Sequence, residues 1–334
     1  MTNAHSRTIL VRNGWVLSMD DAVGDLTSGD VLIENGRISA VAEHVTAPSG
    51  QVEEIDATGC LVLPGLVDTH RHMWQGGLRG SAPHSTLMDY LEQVCGQIGP
   101  AMRPRDFYVG NMLSARSALN AGVTAIQDVS NAQATPEHSD AITVALQESG
   151  IRAVFAYGKD FLAIVATGTA LPEDVRRVRA DLLADDDALV TMALVTEPGD
   201  EAGIVHNAKL ARELSLPTTM HTSGRTPLTI LRDLDALLPK TTFIHGNGLD
   251  AGSLALIREA GGSLSISAAI EMMMGHGTPM FAEALNAGVP ISLSVDVEVT
   301  AASDLFGQMR AAYQVARYQQ LTQHTTEYEV TVSP

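Results

Sequence analysis

Two histidines one residue apart, His70 and His72, are the first residues along the chain with an evident use in chemistry. In an extended segment alternate side chains point the same way, so both imidazoles can face one side of a strand. Pairs of imidazoles suit zinc, iron and similar metals of intermediate softness. A His-x-His pair alone is weak evidence, because a chance pair is more common than a metal site.

Further residues of metal-ligand type end later apolar runs. His221 and His245 each follow such a run directly, and Asp296 ends the run ISLSV. Ionisable groups are seldom buried at strand ends without a reason. Together the five residues favour one metal site over a set of unrelated, satisfied core residues. The other polar residues predicted at strand ends are Asp68, Asp128, Lys159, Asp160, Glu197 and Glu271.

Strands and helices must position these residues, and the pattern of apolar and polar residues that predicts them changes after residue 58. Residues 8–58 read as short strands with alternating polar and apolar residues, and the Asn-Gly pairs at 13–14 and 35–36 predict hairpins. We therefore expect 1–58 to form most of a small β-sandwich-like domain.

From residue 59 the pattern predicts a barrel. CLVLPGLVDTH reads as one buried strand, and seven further apolar strands alternate with amphipathic helices. This alternation predicts an α/β fold, a (β/α)8 TIM barrel over 59–317, with functional residues at the carboxyl ends of its strands. A doubly wound open sheet is the alternative, but the sequence lacks the glycine-rich phosphate turn that it would need.

The tail, 318–334, contains TEYEVTVSP as its one strand-like piece. The small domain is then either reduced or incomplete, and its N-terminal strands would have exposed edges. Such edges need cover, so a homo-oligomer is a further expectation.

The composition excludes several classes of protein. The formal net charge is −18, which repels phosphate backbones and anionic lipid, so we expect a small-molecule substrate and neither nucleic acid nor membrane as a partner. The sequence starts without a basic region followed by an apolar stretch, which argues against a signal peptide. Two cysteines are too few for a disulfide framework, so we expect a cytoplasmic protein with reduced thiols.

The sequence resembles the amidohydrolase superfamily, in particular the branch that contains cytosine and guanine deaminases and triazine chlorohydrolases. The resemblance runs from about residue 8 to 317 and rests on PGLVDTHRHMWQ as the opening signature and on MHTS, FIHGNGLD and LSVDV as the fifth, sixth and eighth strands. It implies one divalent metal ion, zinc first and otherwise iron or manganese. The implied ligands are His70, His72, His221 and Asp296.

The same resemblance implies a hydrolase that acts on carbon–nitrogen bonds other than peptide bonds, through hydrolytic deamination of a heterocycle by metal-activated water. Asp296 would accept the proton of the water, and His245 would hydrogen-bond the water or the developing oxyanion. A chlorohydrolase or a lactam hydrolase with the same activated water is an alternative. A non-catalytic scaffold of the same fold is a third hypothesis.

The chain departs from the family at one position of the site. Deaminases of this branch carry a Glu three residues after the fifth-strand His, and here that position is Gly224. Glu271 is the best substitute if it faces the cavity, and His276 could protonate a leaving group. The alternative is that both are solvated loop residues. A metal pair bridged by a carboxylated lysine is not expected, because Lys159 lies on the third strand; we expect it to pair with a carboxylate.

Two residues after the histidine pair could bind the substrate. Trp74 offers an aromatic face and Gln75 an amide, which together would suit a flat heterocycle. The alternative is that the tryptophan packs its own loop.

Overall fold

The computed structural model describes residues 7–323. The chain divides into two compact units, which meet in the sequence between Gly65 and Leu66. The boundary predicted from the sequence lay after residue 58.

The first unit contains one five-stranded sheet with the order β3-β2-β1-β4, in which β5 also pairs with β1. Asn35 and Gly36, with φ of 53° and 76°, join β2 to β3 as the predicted hairpin. The strands are β1 (Thr8–Val16), β2 (Leu26–Glu34), β3 (Arg37–Ala42), β4 (Val52–Asp56) and β5 (Leu61–Val62).

The other predicted hairpin, at Asn13 and Gly14, is wrong. Both residues lie inside β1, where the pairing with β2 shifts register between Val11 and Gly14, and Asn13 has a φ of 61°. The pair therefore makes a β-bulge instead of a turn. A Cβ on Gly14 would lie 2.4 Å from Val62 Cγ2, so a larger residue there would displace the Val62 side chain.

The second unit is built on eight parallel strands that are neighbours in chain order, from β6 to β13, which confirms the predicted barrel. The amide of Asp296 donates to the carbonyl of His70 at 3.0 Å, and the amide of His72 donates to the carbonyl of Asp296 at 2.9 Å, which closes the sheet at its carboxyl end. The strands are β6 (Leu66–Arg71), β7 (Val123–Ser130), β8 (Arg152–Tyr157), β9 (Val190–Val195), β10 (Thr218–Ser223), β11 (Thr242–Asn247), β12 (Ser263–Ile266) and β13 (Ile291–Leu293).

The run CLVLPGLVDTH, expected to be one strand, is divided between the units. Leu61 and Val62 form β5 in the first sheet, and the barrel begins only at Leu66. Pro64, which cannot donate a ladder hydrogen bond, lies in the break between the two strands.

Helices follow the barrel strands. Most predicted helices are present, and the segment between residues 87 and 101 adds a helical stretch that the pattern did not predict. Within residues 7–323, every helix is too short or too polar to span a bilayer. The helices are α1 (Leu87–Tyr90), α2 (Gly99–Ala101), α3 (Pro104–Asn120), α4 (Pro136–Ser149), α5 (Phe161–Thr167), α6 (Asp174–Arg177), α7 (Glu201–Leu214), α8 (Thr229–Asp233), α9 (Ala251–Glu259), α10 (Ala268–Met274), α11 (Phe281–Asn286) and α12 (Leu305–Gln323), with a 3-10 turn at Met73–Leu78 and π-helical stretches at Leu91–Ile98 and Val178–Leu182.

A group of hydroxyls connects the strands beside the closure of the barrel. Thr69 of β6 lies 2.7 Å from Ser265 and 2.9 Å from Ser292, and Ser294 lies 3.0 Å from Ser265 (Oγ–Oγ distances, Oγ1 for Thr69). These hydroxyls hydrogen-bond to one another, so polar residues can occupy an interior that is otherwise apolar.

Candidate active site

The carboxyl ends of four barrel strands bring the predicted ligands together. His70 Nε2 lies 3.0 Å from Asp296 Oδ1, and His72 Nε2 lies 3.6 Å from the same oxygen. His245 Nε2 lies 3.7 Å from Asp296 Oδ2. One nitrogen of His221 falls within 4.8 Å of ring nitrogens of His70 and His245. We call these five residues the His-Asp cluster.

Three rings of the cluster are oriented through Nδ1. His72 Nδ1 lies 2.7 Å from the carbonyl oxygen of Val129, which can only accept, so this nitrogen carries the hydrogen. His221 Nδ1 binds the Glu197 carboxylate at 2.5 Å, and His245 Nδ1 binds Glu271 at 3.1 Å. Each ring therefore keeps an Nε2 lone pair for the cluster, which is the arrangement typical of metal-binding histidines.

The protonation states of His70, His72 and Asp296 suit a cation. Burial lowers the pKa of His70 and lowers that of His72 to about 4, so both rings are neutral at pH 7. Burial alone would raise the pKa of Asp296, but the rings of His70, His245 and His72 outweigh it and hold the pKa below its usual value. Burial also lowers the pKa of His221, and the charge of Glu197 more than offsets this and raises it.

Two cluster residues have unusual backbones. His245 and Asp296 have φ values of 67° and 68°, in the left-handed region that residues other than glycine seldom adopt. Such conformations cost about 1–3 kcal/mol each and persist where the surrounding structure enforces them, which is common at functional sites.

A cavity of about 400 Å³ opens onto the cluster, which contributes His72, His221, His245 and Asp296 to its lining. One wall is apolar and comes from the helices after β6 and β8, and the other residues are mostly polar. The apolar wall comprises Leu87, Tyr90, Leu91, Phe161 and Ile164, and the polar lining includes Asn131, Lys159, Thr169, Glu197, Ser223, Arg225, Thr226, Asn247 and His276.

Comparisons with known proteins agree with this geometry. A family model described as the amidohydrolase family matches residues 61–332. The 5'-deoxyadenosine deaminase of Methanosarcina barkeri is 30% identical over 324 residues, which cover 91% of this chain and 72% of that protein. The chain belongs to the amidohydrolase family.

A second curated relative and a solved structure extend the match. The 5-methylthioadenosine/S-adenosylhomocysteine deaminase of Halobacterium salinarum is 30% identical over 339 residues, 94% of this chain and 74% of that protein. An adenosine deaminase from Xanthomonas campestris, with bound zinc, is 20% identical with a TM-score of 0.77 and covers 94% of this chain and 74% of its own. The family confirms the prediction of a hydrolase that acts on carbon–nitrogen bonds and counts against the scaffold hypothesis.

Glu271 lies elsewhere than expected. It is fully buried on α10, and the described residues that line the cavity do not include it. Its carboxylate accepts from Asn247 Nδ2 at 3.0 Å and from the amide of Ser267 at 2.8 Å, besides binding His245. Glu271 therefore holds the His245 ring through Nδ1, and the expectation that its carboxylate faces the cavity is wrong.

His276 does line the cavity. Its ring stands edge-on to that of His245, with 4.5 Å between centroids, and its Nε2 is buried without a hydrogen-bond partner among residues 7–323. Burial, helped by the nearby His245 ring, lowers its pKa to about 4. The alternative of a solvated loop histidine is thus wrong.

Trp74 and Gln75 also need correction, because both side chains are fully buried and neither is among the described cavity-lining residues. Trp74 stacks on Phe107, as the packing alternative stated, and donates through Nε1 to Asn131 Oδ1 at 3.3 Å. Gln75 Nε2 donates to the Tyr90 hydroxyl at 2.6 Å. Tyr90 and Asn131 both line the cavity, and no ligand pattern in the sequence marks either of them.

Gly224, where the family carries a Glu, has no room for a side chain. A Cβ there would lie 2.0 Å from the carbonyl oxygen of Gly248, and the Gly224 amide donates to the Asn247 carbonyl at 2.8 Å. The two loops approach backbone to backbone, so restoring the Glu would require them to separate.

The other polar strand ends have structural partners. Lys159 Nζ donates to Thr167 Oγ1 at 2.8 Å and to the Gly168 carbonyl at 2.6 Å, and the described residues do not supply the carboxylate expected to pair with it. Asp68 pairs with Arg71 at 2.7 Å, and Asp160 caps α5. Burial raises the pKa of Asp128, which accepts from the Met73 amide, to about 7.

Proposed function

We propose that this protein hydrolytically deaminates an aminated heterocycle, and that nucleosides of the adenosine type are its first candidate substrates. Water supplies the oxygen, the ring carbon loses its amino group, and ammonia leaves. The observation that carries the proposal is the His-Asp cluster at a cavity of about 400 Å³, a size that suits a small molecule. The three relatives described above, all named as deaminases of adenosine-type compounds, supply the substrate class.

We assign one divalent ion to His70, His72, His221 and Asp296. Zinc is the first choice, since a similar fold binds it, and iron or manganese suit the same ligands. Bonds of 2.0–2.1 Å in a tetrahedron separate ligand atoms by roughly 3.3–3.4 Å. The separations of Asp296 from His70 and His72, 3.0 and 3.6 Å, lie on either side of that value, so these three residues fit the ion, and one nitrogen of His221 lies within 4.8 Å of a ring nitrogen of His70.

The residues of the chain then have distinct roles. A bound divalent ion lowers the pKa of a water molecule towards neutrality. Asp296, ionised at pH 7, accepts a proton from the attacking water. Glu271 accepts a hydrogen bond from Nδ1 of His245. With a proton also on Nε2, this ring would donate a hydrogen bond to the oxygen on which negative charge develops.

We assign the transfer of a proton to the leaving amine to His276. It lines the cavity beside His245, and its Nε2 has no hydrogen-bond partner among the described residues, so its lone pair can receive a proton and pass it on. This assignment gives His276 the task of the Glu that Gly224 replaces, and leaves Glu271 as a positioning residue.

The test is release of ammonia by the zinc-loaded protein from adenosine, 5'-deoxyadenosine, 5'-methylthioadenosine, S-adenosylhomocysteine and guanine. We expect turnover of at least one nucleoside, and a loss of more than about a thousandfold in Asp296→Asn. Asp25→Asn, an exposed change in the other unit, is the control. Release of chloride from a chlorotriazine, or opening of a lactam, with no ammonia from any compound would refute the deaminase proposal.

A further inference from the structure

His276 lies in the loop 275–280, which joins α10 to α11. Its ring stands against the ring of His245, with 4.5 Å between centroids, and it lines the cavity. A ring that passes a proton to a leaving group must be held in place, because a misplacement of about 1 Å can cost about a hundredfold in rate. The contacts that hold this loop therefore matter to the reaction.

Asn247, at the end of β11, contacts the loop through its side-chain amide. Nδ2 donates to the carbonyl oxygen of Thr278 at 3.0 Å and to Glu271 Oε2 at 3.0 Å. Because a carbonyl oxygen can only accept, the amide group is oriented with Nδ2 towards the loop. Asn247 Oδ1 has no hydrogen-bond partner among residues 7–323, so within this range Nδ2 makes every hydrogen bond of the side chain.

The loop also packs directly on Asn247 at Gly277. A Cβ on Gly277 would lie 3.1 Å from Asn247 Cβ, and Gly277 has a φ of 137°, which favours glycine. The amide of His276 donates to the carbonyl of Glu271 at 2.9 Å. The loop therefore keeps an attachment to α10 when the side chain of Asn247 is replaced.

One carboxylate connects the two histidines of the cavity. Glu271, fully buried on α10, binds His245 Nδ1 through Oε1 at 3.1 Å and accepts from Asn247 through Oε2. The ring of His245 and the loop of His276 are thus attached to the same side chain. Loss of the Asn247 amide removes the contacts to Oε2 and to the loop, but it leaves the contact between Oε1 and His245 in place.

We infer that Asn247 is a positioning residue for His276, and that it acts by connecting the loop 275–280 to the carboxylate that holds His245. The inference rests on the proposed function for the transfer of a proton by His276. Asn247 therefore affects departure of the amine and leaves attack of the water unaffected, because His245 and the His-Asp cluster keep their own partners.

A double-mutant cycle tests whether Asn247 acts through His276. Asn247→Leu and Asn247→Ala both remove the donor, and the second variant cannot crowd its neighbours. We expect each to lower kcat about a hundredfold for adenosine, or for the nucleoside that the protein deaminates fastest, with little change in KM. In a His276→Gln background the same substitutions should lower kcat little further, because the ring that Asn247 positions is already gone.

A change of leaving group separates departure from attack. In 6-chloropurine riboside chlorine replaces the amino group of adenosine, so water attacks the same carbon, the C–Cl bond breaks, and chloride leaves with the electron pair and needs no proton. We expect Asn247→Leu and His276→Gln to lower kcat for this analogue much less than for adenosine. The double-mutant cycle decides if the wild type does not turn the analogue over.

Asn111→Leu is the matched control. Asn111 is buried on α3, where its Nδ2 donates to the Phe107 carbonyl at 2.9 Å, and its replacement should leave the ratio between the two substrates unchanged. Metal content and melting temperature are measured for every variant. If Asn247→Leu lowers kcat by the same factor with and without His276, or lowers it alike for both substrates, the inference is overturned. Ammonia release by the wild type would still support the deaminase proposal.

The attachment of the loop also has a readout that needs no turnover. Hydrogen exchange of the His276 amide, which donates to the Glu271 carbonyl, reports opening of the loop. If the wild type releases no ammonia from any nucleoside, the deaminase proposal fails, and this exchange decides whether Asn247 holds the loop. Exchange about tenfold faster in Asn247→Leu but not in Asn111→Leu supports that role, and equal rates overturn it.

Discussion

Three imidazoles of the His-Asp cluster, those of His72, His221 and His245, depend on the acceptor bound to Nδ1. A backbone carbonyl holds His72, whereas the carboxylates of Glu197 and Glu271 hold His221 and His245. A carboxylate makes the ring a stronger base and a stronger metal ligand than a carbonyl does. Among the proposed metal ligands, His221 is therefore the one whose basicity depends on a side chain outside the cluster, that of Glu197.

Glu197→Gln should weaken metal binding about 10–100-fold, because the amide removes the charge that supports His221. Zinc competition against a chromogenic chelator measures this affinity. Glu259→Gln, on the exposed side of α9, is the control and should bind zinc as the wild type does. Equal affinity in both variants would show that Glu197 does not support a metal ligand.

Gly224→Ala should destabilise the protein by about 1–3 kcal/mol, since the new Cβ overlaps the Gly248 carbonyl. Urea unfolding measures the change. Gly77→Ala is a matched control, because a Cβ there meets no described atom within 4 Å. If the two variants unfold alike, the loops at Gly224 are not packed as closely as the structure shows.

Among the strands, β1 and β2 of the first sheet are connected through one buried carboxylate. Asp30 accepts from the amides of Asn13 and Val45, at 3.1 and 3.0 Å, and pairs with Arg12 at 3.2 Å. Burial would raise the pKa of Asp30, but these hydrogen bonds and the arginine outweigh it and lower the pKa. The carboxylate thus supports the bulge at Asn13 and the sheet around it.

Asp30→Asn should lower the free energy of unfolding of the first sheet by about 1–3 kcal/mol at pH 7. Because the folded pKa is lowered, the ionised group stabilises the sheet above the ordinary carboxyl pKa, near 4, and the effect fades as pH falls through the folded value. Hydrogen exchange of the strands within Thr8–Ala42, measured from pH 7 down to about pH 2, follows the difference through the folded pKa. Asp25→Asn is the exposed control, and a gap between Asp30→Asn and wild type that stays constant with pH would contradict this account.

For the protein as a whole, metal binding should be linked to folding. Four strand ends supply the cluster, so an ion that binds the folded barrel stabilises it by about 2.7 kcal/mol at one hundred times its Kd. We expect removal of metal by dipicolinate to lower the melting temperature by several degrees, and His72→Ala to abolish most of that shift. The exposed His84→Ala is the control. A melting temperature indifferent to metal would argue against the site.

Association of subunits stays a prediction. It follows from the expectation that the N-terminal strands have exposed edges, which need cover. Sedimentation at micromolar concentration should show a species larger than one chain. A monomer would contradict this expectation.

Much of the fold could be predicted because its signals are local. The run VTAIQDVS is the strand Val123–Ser130, and the alternation of apolar strands with helices predicted the barrel. The Asn-Gly pair at 35–36 is a hairpin but that at 13–14 is a bulge, since partners elsewhere in the sheet decide whether a chain turns or continues. The strand expected over 60–70 divides for the same reason.

For the site, residue types and their order along the chain were enough to select the His-Asp cluster, since ligand chemistry and strand ends can both be read locally. The same local signals do not show which side chains face the cavity and which ones hold another side chain in place. His70 meets Asp296 across 226 positions of sequence, and Glu271 of α10 meets His245 across 26. Contacts between residues so far apart arise from closure of the barrel, and no local pattern records them.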